Sequence, residues 1–172
     1  MLKITLETGD MTNFSGDAII VPSDVELSYS KTTLNIKRIL QKAGGGLLEE
    51  LAAIGYAEVG NAVITNGYKL KVKHLIFMPF TCHQEAENKI SSTQFHQSLK
   101  SAFTLAKIYK VKTLAIPLLP RQAQKKNPLE KLVDILFGGK FEAHIKADEM
   151  MDIITAIARE NKSVLEKVAV YR

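Results

Sequence analysis

The chain has 172 residues, a length that favours one domain with a sizeable buried core. Hydrophobic residues make up 46% and charged residues 24% of it, with a net charge of +5, so the composition excludes a disordered or fibrous chain. A single cysteine, no signal-peptide pattern and no long apolar run lead us to expect a cytoplasmic protein and no membrane partner.

Strands and helices are predicted to alternate along the chain. Strands are expected where apolar residues alternate or run together between turn residues, and helices where they recur at helical spacing. This alternation predicts an α/β fold whose sheet is covered on both faces. We expect Pro22 to close the second strand and Asp148 to cap the last helix. In chain order, the predicted elements are strands at 2–10 and 17–23, helices at 33–43 and 47–54, strands at 61–68 and 74–80, a helix at 92–110, a strand at 113–119, helices at 129–136 and 148–161, and a strand at 164–171.

Three consecutive glycines, Gly44 to Gly46, raise the question of a phosphate loop, because glycine-rich turns that open helices often hold phosphates. These glycines follow a helical stripe rather than a buried strand. The end of a helix favours glycine in a left-handed conformation. We therefore predict that they separate two helices and hold no phosphate.

Three stretches of the sequence, in this order along the chain, are informative about its family. They are GDMT (9–12) followed by DAI (17–19), GNAVITNGYKL (60–70) followed by KHLIF (73–77), and IPLLP with NPLEKL (116–132). In this order the chain resembles the macro domain family. The resemblance implies a three-layer α/β/α sandwich with a mixed, mainly parallel central sheet. It also implies ADP-ribose binding and, in members of the Appr-1″-p processing type, hydrolysis of ADP-ribose derivatives. The whole chain, 1–172, then forms a single macro-like domain with an insertion at about 138–150.

The two loops that hold phosphate in the family lack their glycines in this chain. The first reads SKTTLN at 30–35, and the second reads PRQAQKKN at 120–127. Close approach of a backbone to a diphosphate needs residues without a Cβ, so the cleft must be remodelled for such a ligand. Lys31, Arg121 and Lys125 could bind phosphate through their side chains instead. The alternative is that they form solvated basic loops.

The resemblance places two aspartates in the ligand cleft. Asp17 matches the family residue that hydrogen-bonds the adenine amino group, although capping of the turn through Asn13 and Ser15 is an equal alternative. Asp24 stands where the family has an asparagine that contacts the distal ribose. It could act as a general base on a ribose-bound water, or it is a turn residue. The predicted ligand-binding set is Asp17, Ile19, Ser23, Asp24, Lys31, Arg121, Gln122 and Lys125.

No metal and no cofactor are expected. The cysteine and the four histidines show no ligand spacing, and neighbouring Cys82 and His83 are a poor nucleophile pair because such partners are normally brought together by the fold. No glycine pattern of a nucleotide-binding loop of the Walker or dinucleotide type occurs.

Alternating lysines at 69, 71 and 73, together with Lys110 and Lys112, could form a surface for nucleic acid. No aromatic residues that could stack on bases are interleaved with them, so we favour a solvated strand edge or hairpin. A nucleic-acid partner is therefore not favoured.

Three functions fit these observations. We favour a divergent macro domain that binds an ADP-ribose-like or other nucleotide-type small molecule in a remodelled cleft without fast catalysis. One alternative is a macro-fold scaffold that has lost ligand binding and acts through its surface, with the cleft filled by side chains such as Tyr29, Arg121 or Gln122. The other is an ADP-ribosyl hydrolase that uses Asp24 as its catalytic residue.

Overall fold

A six-stranded sheet forms the centre of the protein in a computed structural model, which describes residues 1–27, 34–81, 89–118, 142–143 and 145–172. Within these residues the strands are β1 (Lys3–Glu7), β2 (Gly16–Asp24), β3 (Val63–Asn66), β4 (Val72–Thr81), β5 (Lys89–Ile90), β6 (Thr113–Pro117), β7 (Glu142–Ala143) and β8 (Lys167–Tyr171). The helices are α1 (Leu34–Ala43), α2 (Gly45–Ile54), α3 (Ser92–Ile108) and α4 (Ala147–Glu160), and a 3₁₀ turn covers Met11–Asn13.

The strand order in the central sheet is β1-β8-β6-β2-β4-β3. All neighbouring strands are parallel except β3, which runs antiparallel to β4 at one edge. The central strand β2 has a continuous run of fully buried apolar residues from Ala18 to Val21. A strand buried on both faces requires a layer of helices on each side. The predicted α/β/α sandwich with a mixed, mainly parallel sheet is therefore confirmed.

Strand β2 is paired unequally with its two neighbours. It pairs with β4 along its whole length, from Gly16 to Asp24, but with β6 only at Ala18 and Ile19. The carboxyl halves of β2 and β6 are therefore not joined by a ladder. Pro22 lies within this half of β2, whereas we expected it to close the strand. A proline is tolerated inside a sheet where a ladder is interrupted.

The three glycines lie between two helices, as predicted. Gly44 has a φ of 90°, a conformation that favours glycine, and its amide donates to the carbonyl of Leu40 at 3.2 Å. The Gly44 carbonyl in turn accepts from the amide of Leu47 at 3.2 Å. Gly45 and Gly46 are the first residues of α2. One glycine with a positive φ thus ends α1 and begins α2.

Helix α3 follows its predicted span closely and starts with a capping box between Ser91 and Gln94. Helix α4 starts differently from the prediction. Its N-cap is Lys146, and Asp148 lies in the first turn, where its charge still favours the helix dipole. None of the described helices is long and apolar enough to cross a membrane.

The two-residue strands β5 and β7 form a separate parallel pair that the sequence did not predict. Strand β7 falls within the insertion expected at 138–150, and the end of that insertion forms the start of α4. The predicted helix at 129–136 and residues 138–141 and 144 of the expected insertion lie outside the described residues.

Candidate functional site

The carboxyl end of β2 is the strongest candidate for a ligand site. In sheets of this kind, ligands bind beyond the carboxyl ends of strands, and here β2 has separated from β6. Ser23 and Asp24 end the strand and are only 3% and 2% exposed. The Ser23 hydroxyl has no hydrogen-bond partner within the part of the chain that the structure describes. A buried hydroxyl without a partner costs about 1–3 kcal/mol, so the site can accept a polar ligand group.

A turn follows β2 and fixes this end of the strand. The amide of Leu27 donates to the Asp24 carbonyl at 3.2 Å, and the amide of Ala57 donates to the Val25 carbonyl at 2.8 Å. These bonds tie the strand end to the segment that follows α2. The turn role considered for Asp24 therefore agrees with its backbone. The predicted contact of its side chain with a ligand, and its use as a base, stay predictions.

Asp17 lies at the opposite end of β2 and is held by the protein itself. Its carboxylate accepts hydrogen bonds from the Lys73 ammonium at 2.7 Å, from the amides of Lys112 and Thr113 at 3.0 Å each, and from the Thr113 hydroxyl at 3.1 Å. Burial alone would raise the pKa of the Asp17 carboxyl, but these donors outweigh it and lower the pKa to about 2. The carboxylate thus joins the starts of β2, β4 and β6.

The structure does not bring the two predicted aspartates together. Asp24 lies seven residues further along β2 than Asp17, roughly 23 Å at the usual rise of a strand. The Asp17 carboxylate is held by neighbouring strands, which favours a structural role, and its predicted contact with adenine stays a prediction. Its hydrogen-bond partners among the described residues do not include Asn13 or Ser15, which were considered for a turn cap. The sequence did not predict the hydrogen-bond partners of Asp17, because they depend on the register of neighbouring strands.

The other predicted site residues divide into two groups. Ile19 is fully buried and pairs with Ala115 in the short ladder between β2 and β6, which makes it a core residue. The remaining predicted site residues are Lys31, Arg121, Gln122 and Lys125, and they lie outside the described part of the chain. The Cys82-His83 pair also lies outside it.

A polar cluster that we did not single out follows β1. The carboxylate of Asp10 accepts from the amide of Thr12 at 2.9 Å and from its hydroxyl at 2.5 Å, and Lys42 of α1 lies 3.4 Å away. These hydrogen bonds, above all from the Thr12 hydroxyl, lower the pKa of Asp10. The Asp-x-Thr spacing of a capped turn is the sequence signal for it.

Comparison with known proteins identifies the family. The Macro domain family model matches residues 36–130. The chain therefore belongs to the macro domain family. A macro domain-containing protein of Methanosarcina mazei is 27% identical over 124 residues, which cover 67% of this chain and 64% of that protein. The match thus spans less than two thirds of this relative.

Solved macrodomain structures share the fold at low identity. The Trypanosoma brucei macrodomain in complex with ADP-ribose is 15% identical, with a TM-score of 0.72, and the match covers 98% of this chain and 62% of that one. The Oceanobacillus iheyensis macrodomain with ADP is 17% identical, with a TM-score of 0.65, over 97% of this chain and 83% of that one. The macro domain of ganglioside induced differentiation associated protein 2 is 18% identical, with a TM-score of 0.70, and the match covers 98% of this chain and 76% of that one. At these identities the likeness shows the fold.

Proposed function

We propose that this macro domain binds a nucleotide-type small molecule, with ADP-ribose or ADP as the reference ligands, at the carboxyl end of β2. The observation that carries the proposal is the buried Ser23 hydroxyl, which has no partner among the described residues, beside the buried Asp24. Native proteins pair nearly all their buried polar groups, so an unpaired one at the ligand edge of an α/β sheet favours a bound ligand. That solved macrodomains hold ADP-ribose and ADP supports the choice of ligand class.

The separation of β2 from β6 supports this location. Beyond Ile19, no ladder joins the two strands, so strand pairing does not close the sheet between their carboxyl ends. Asp24 at this position can accept a hydrogen bond from a ribose hydroxyl. In this family an asparagine is usual there, and the carboxylate keeps the acceptor while adding a negative charge.

Calorimetry with ADP-ribose and with ADP tests the proposal. We expect the parent protein to bind and Ser23→Ala to weaken binding by about two- to tenfold, the net worth of one neutral hydrogen bond. The matched control is Ser101→Ala, because the Ser101 hydroxyl accepts from the amide of Ala62 at 2.9 Å and is already used by the fold. No heat from the parent protein at millimolar ligand would overturn the proposal and favour the scaffold alternative.

Ser23→Ala also tests the physical argument separately from the ligand. Since its hydroxyl has no partner among the described residues, its removal should leave the free energy of unfolding of the ligand-free protein unchanged or slightly higher. Ser101→Ala should lower it by about 1 kcal/mol. A clear loss of stability in Ser23→Ala would show that the hydroxyl serves the fold.

A further inference from the structure

The edge of the sheet opposite to the candidate ligand site brings lysines from several strands into one row. The Lys71 carbonyl accepts the amide at the start of β2 at 3.3 Å, and the amide of Lys112 donates to Asp17 at 3.0 Å. The Lys112 carbonyl accepts from the amide of Glu166 at 2.8 Å, and the Glu166 carbonyl accepts from Lys3 at 2.9 Å. The segments that open β4, β2, β6, β8 and β1 therefore lie side by side.

We call these lysines the basic row: Lys3, Lys71, Lys73, Lys112 and Lys167. Four intervals between neighbouring strands, from β4 to β1, give it a length of about 19 Å. Carboxylates pair with three of these lysines: Asp17 with Lys73 at 2.7 Å, Glu166 with Lys112 at 2.9 Å, and Glu7 with Lys167 at 3.8 Å. The lysines outnumber them, so the row carries a positive excess.

Three more lysines, all exposed, extend the basic row at its β4 side. Lys69 lies in the hairpin between β3 and β4, and Lys107 and Lys110 lie at the end of α3. The hairpin predicted for this stretch is therefore present. Lys69 of this hairpin lies next to Lys71 of the basic row.

An aromatic pair, of which the tyrosine is exposed and the histidine half-buried, lies beside these lysines. The rings of His74 and Tyr109 meet edge to face with their centroids 5.3 Å apart, and Tyr109 is 48% exposed. His74 follows Lys73 in β4, and Tyr109 stands between Lys107 and Lys110. The sequence alone indicated no aromatic residues among the lysines. The fold supplies one, because it joins the end of α3 to the start of β4.

We propose that the basic row and the His74–Tyr109 pair form a docking surface for single-stranded nucleic acid. A basic track along the phosphates combined with an aromatic face for the bases is how such strands are bound without sequence preference. A row of about 19 Å is long enough to contact several successive phosphates of one strand. Asp17, which holds β2, β4 and β6 together, positions the lysines of this surface. Since the surface lies at the opposite edge from Ser23, a strand and a nucleotide ligand can bind together.

The probes are fluorescent oligo-dT and oligo-U of about 12 nucleotides, within the usual site size for one domain. We expect both to bind the parent protein, with affinity that falls steeply between about 50 and 200 mM salt. A triple variant, Lys69→Gln with Lys71→Gln and Lys110→Gln, should weaken binding at least about tenfold and reduce the salt slope by about 2. The matched control, Lys37→Gln with Lys100→Gln and Lys146→Gln, carries the same net charge and should bind like the parent.

The aromatic pair has its own matched test. Tyr109→Ala should weaken binding about fivefold or more, the loss of one stacked base. Tyr56→Ala removes a tyrosine that is 58% exposed beyond the end of α2 and should have no effect.

Three results would overturn the proposal. The first is absence of oligonucleotide binding at low salt, including the case in which only anionic lipid vesicles bind. The second is an equal loss in the triple variant and its charge-matched control, which would mean a net-charge effect. The third is displacement of the oligonucleotide by ADP-ribose, which would place the strand in the nucleotide site. Binding unaffected by saturating ADP-ribose supports a separate surface.

Discussion

The two ends of β2 differ in how their polar side chains are paired. At the start, the Asp17 carboxylate accepts four hydrogen bonds and joins three strands. At the carboxyl end, the Ser23 hydroxyl is buried and has no hydrogen-bond partner among the described residues. There, β2 is no longer paired with β6. The amino edge is therefore built from groups that satisfy one another. At the carboxyl edge, the described residues supply no such partner for the buried Ser23 hydroxyl.

Loss of Asp17 should give the largest effect on stability. Asp17→Ala removes the acceptor of the Lys112 and Thr113 amides and leaves these donors without their charged partner. We expect the free energy of unfolding to fall by about 3 kcal/mol in urea denaturation. Asp152→Ala, at an exposed position on α4, should change it by less than about 0.5 kcal/mol. Similar values for the two variants would contradict the structural role of Asp17.

Acid should weaken the amino edge selectively. The pKa of Asp17 is lowered from 3.8 to about 2 in the folded protein. A carboxyl with a lowered pKa stabilises the fold above its unfolded pKa, and this contribution is lost as pH falls. Asp17 should therefore contribute about 2 kcal/mol above pH ~4, most of it lost by pH ~2.

The measurement is urea denaturation of the parent and of Asp17→Asn across this range of pH. The difference between the two proteins should shrink as pH falls, because the variant has no carboxyl to protonate at this site. A difference that stays constant with pH would show that the charge of Asp17 contributes nothing.

The glycines between α1 and α2 should affect stability alone. Gly44→Ala forces a side chain into a φ of 90° and should cost about 1–2 kcal/mol. At Gly45, in the first turn of α2, a Cβ would meet open space, so Gly45→Ala should be neutral or stabilise by up to about 0.5 kcal/mol. Urea denaturation measures both. A changed affinity for ADP-ribose in either variant would contradict this expectation and indicate that the glycines contact a phosphate.

Asp24→Asn, at the other end of β2, should have a small effect on ligand binding. The amide keeps an acceptor oxygen and removes a negative charge near an anionic ligand, so ADP-ribose should bind about three- to fivefold more tightly. Asp152→Asn makes the same change of charge on α4 and serves as the control in calorimetry. Weaker binding would mean that the ligand contact requires the charged carboxylate and not only an acceptor oxygen.

The same variant decides the hydrolase alternative. If Asp24 serves as a base on water, Asp24→Asn should lose release of ADP-ribose from a mono-ADP-ribosylated substrate while it retains binding. Equal release by the parent and the variant, or none by either, would exclude this role.

The sequence predicts those parts of the protein whose signals are local. Continuous apolar residues give β2, helical periodicity gives α3, and the glycines between α1 and α2 mark a helix end. The partners of Asp17 could not be predicted, because they depend on which strand starts lie side by side. The Ser23 hydroxyl, which has no partner among the described residues, could not be predicted either, because its surroundings depend on the packing of neighbouring elements. Strands as short as β5 carry no periodic signal.

Titration of the ¹⁵N-labelled protein with ADP-ribose tests the central claim most directly, because amide shifts report both ends of β2 in one experiment. We expect saturable shifts at Ser23, Asp24 and the following turn, and none at Asp17 or Thr113. Shifts confined to the amino edge, or none at either end at millimolar ligand, would contradict the account.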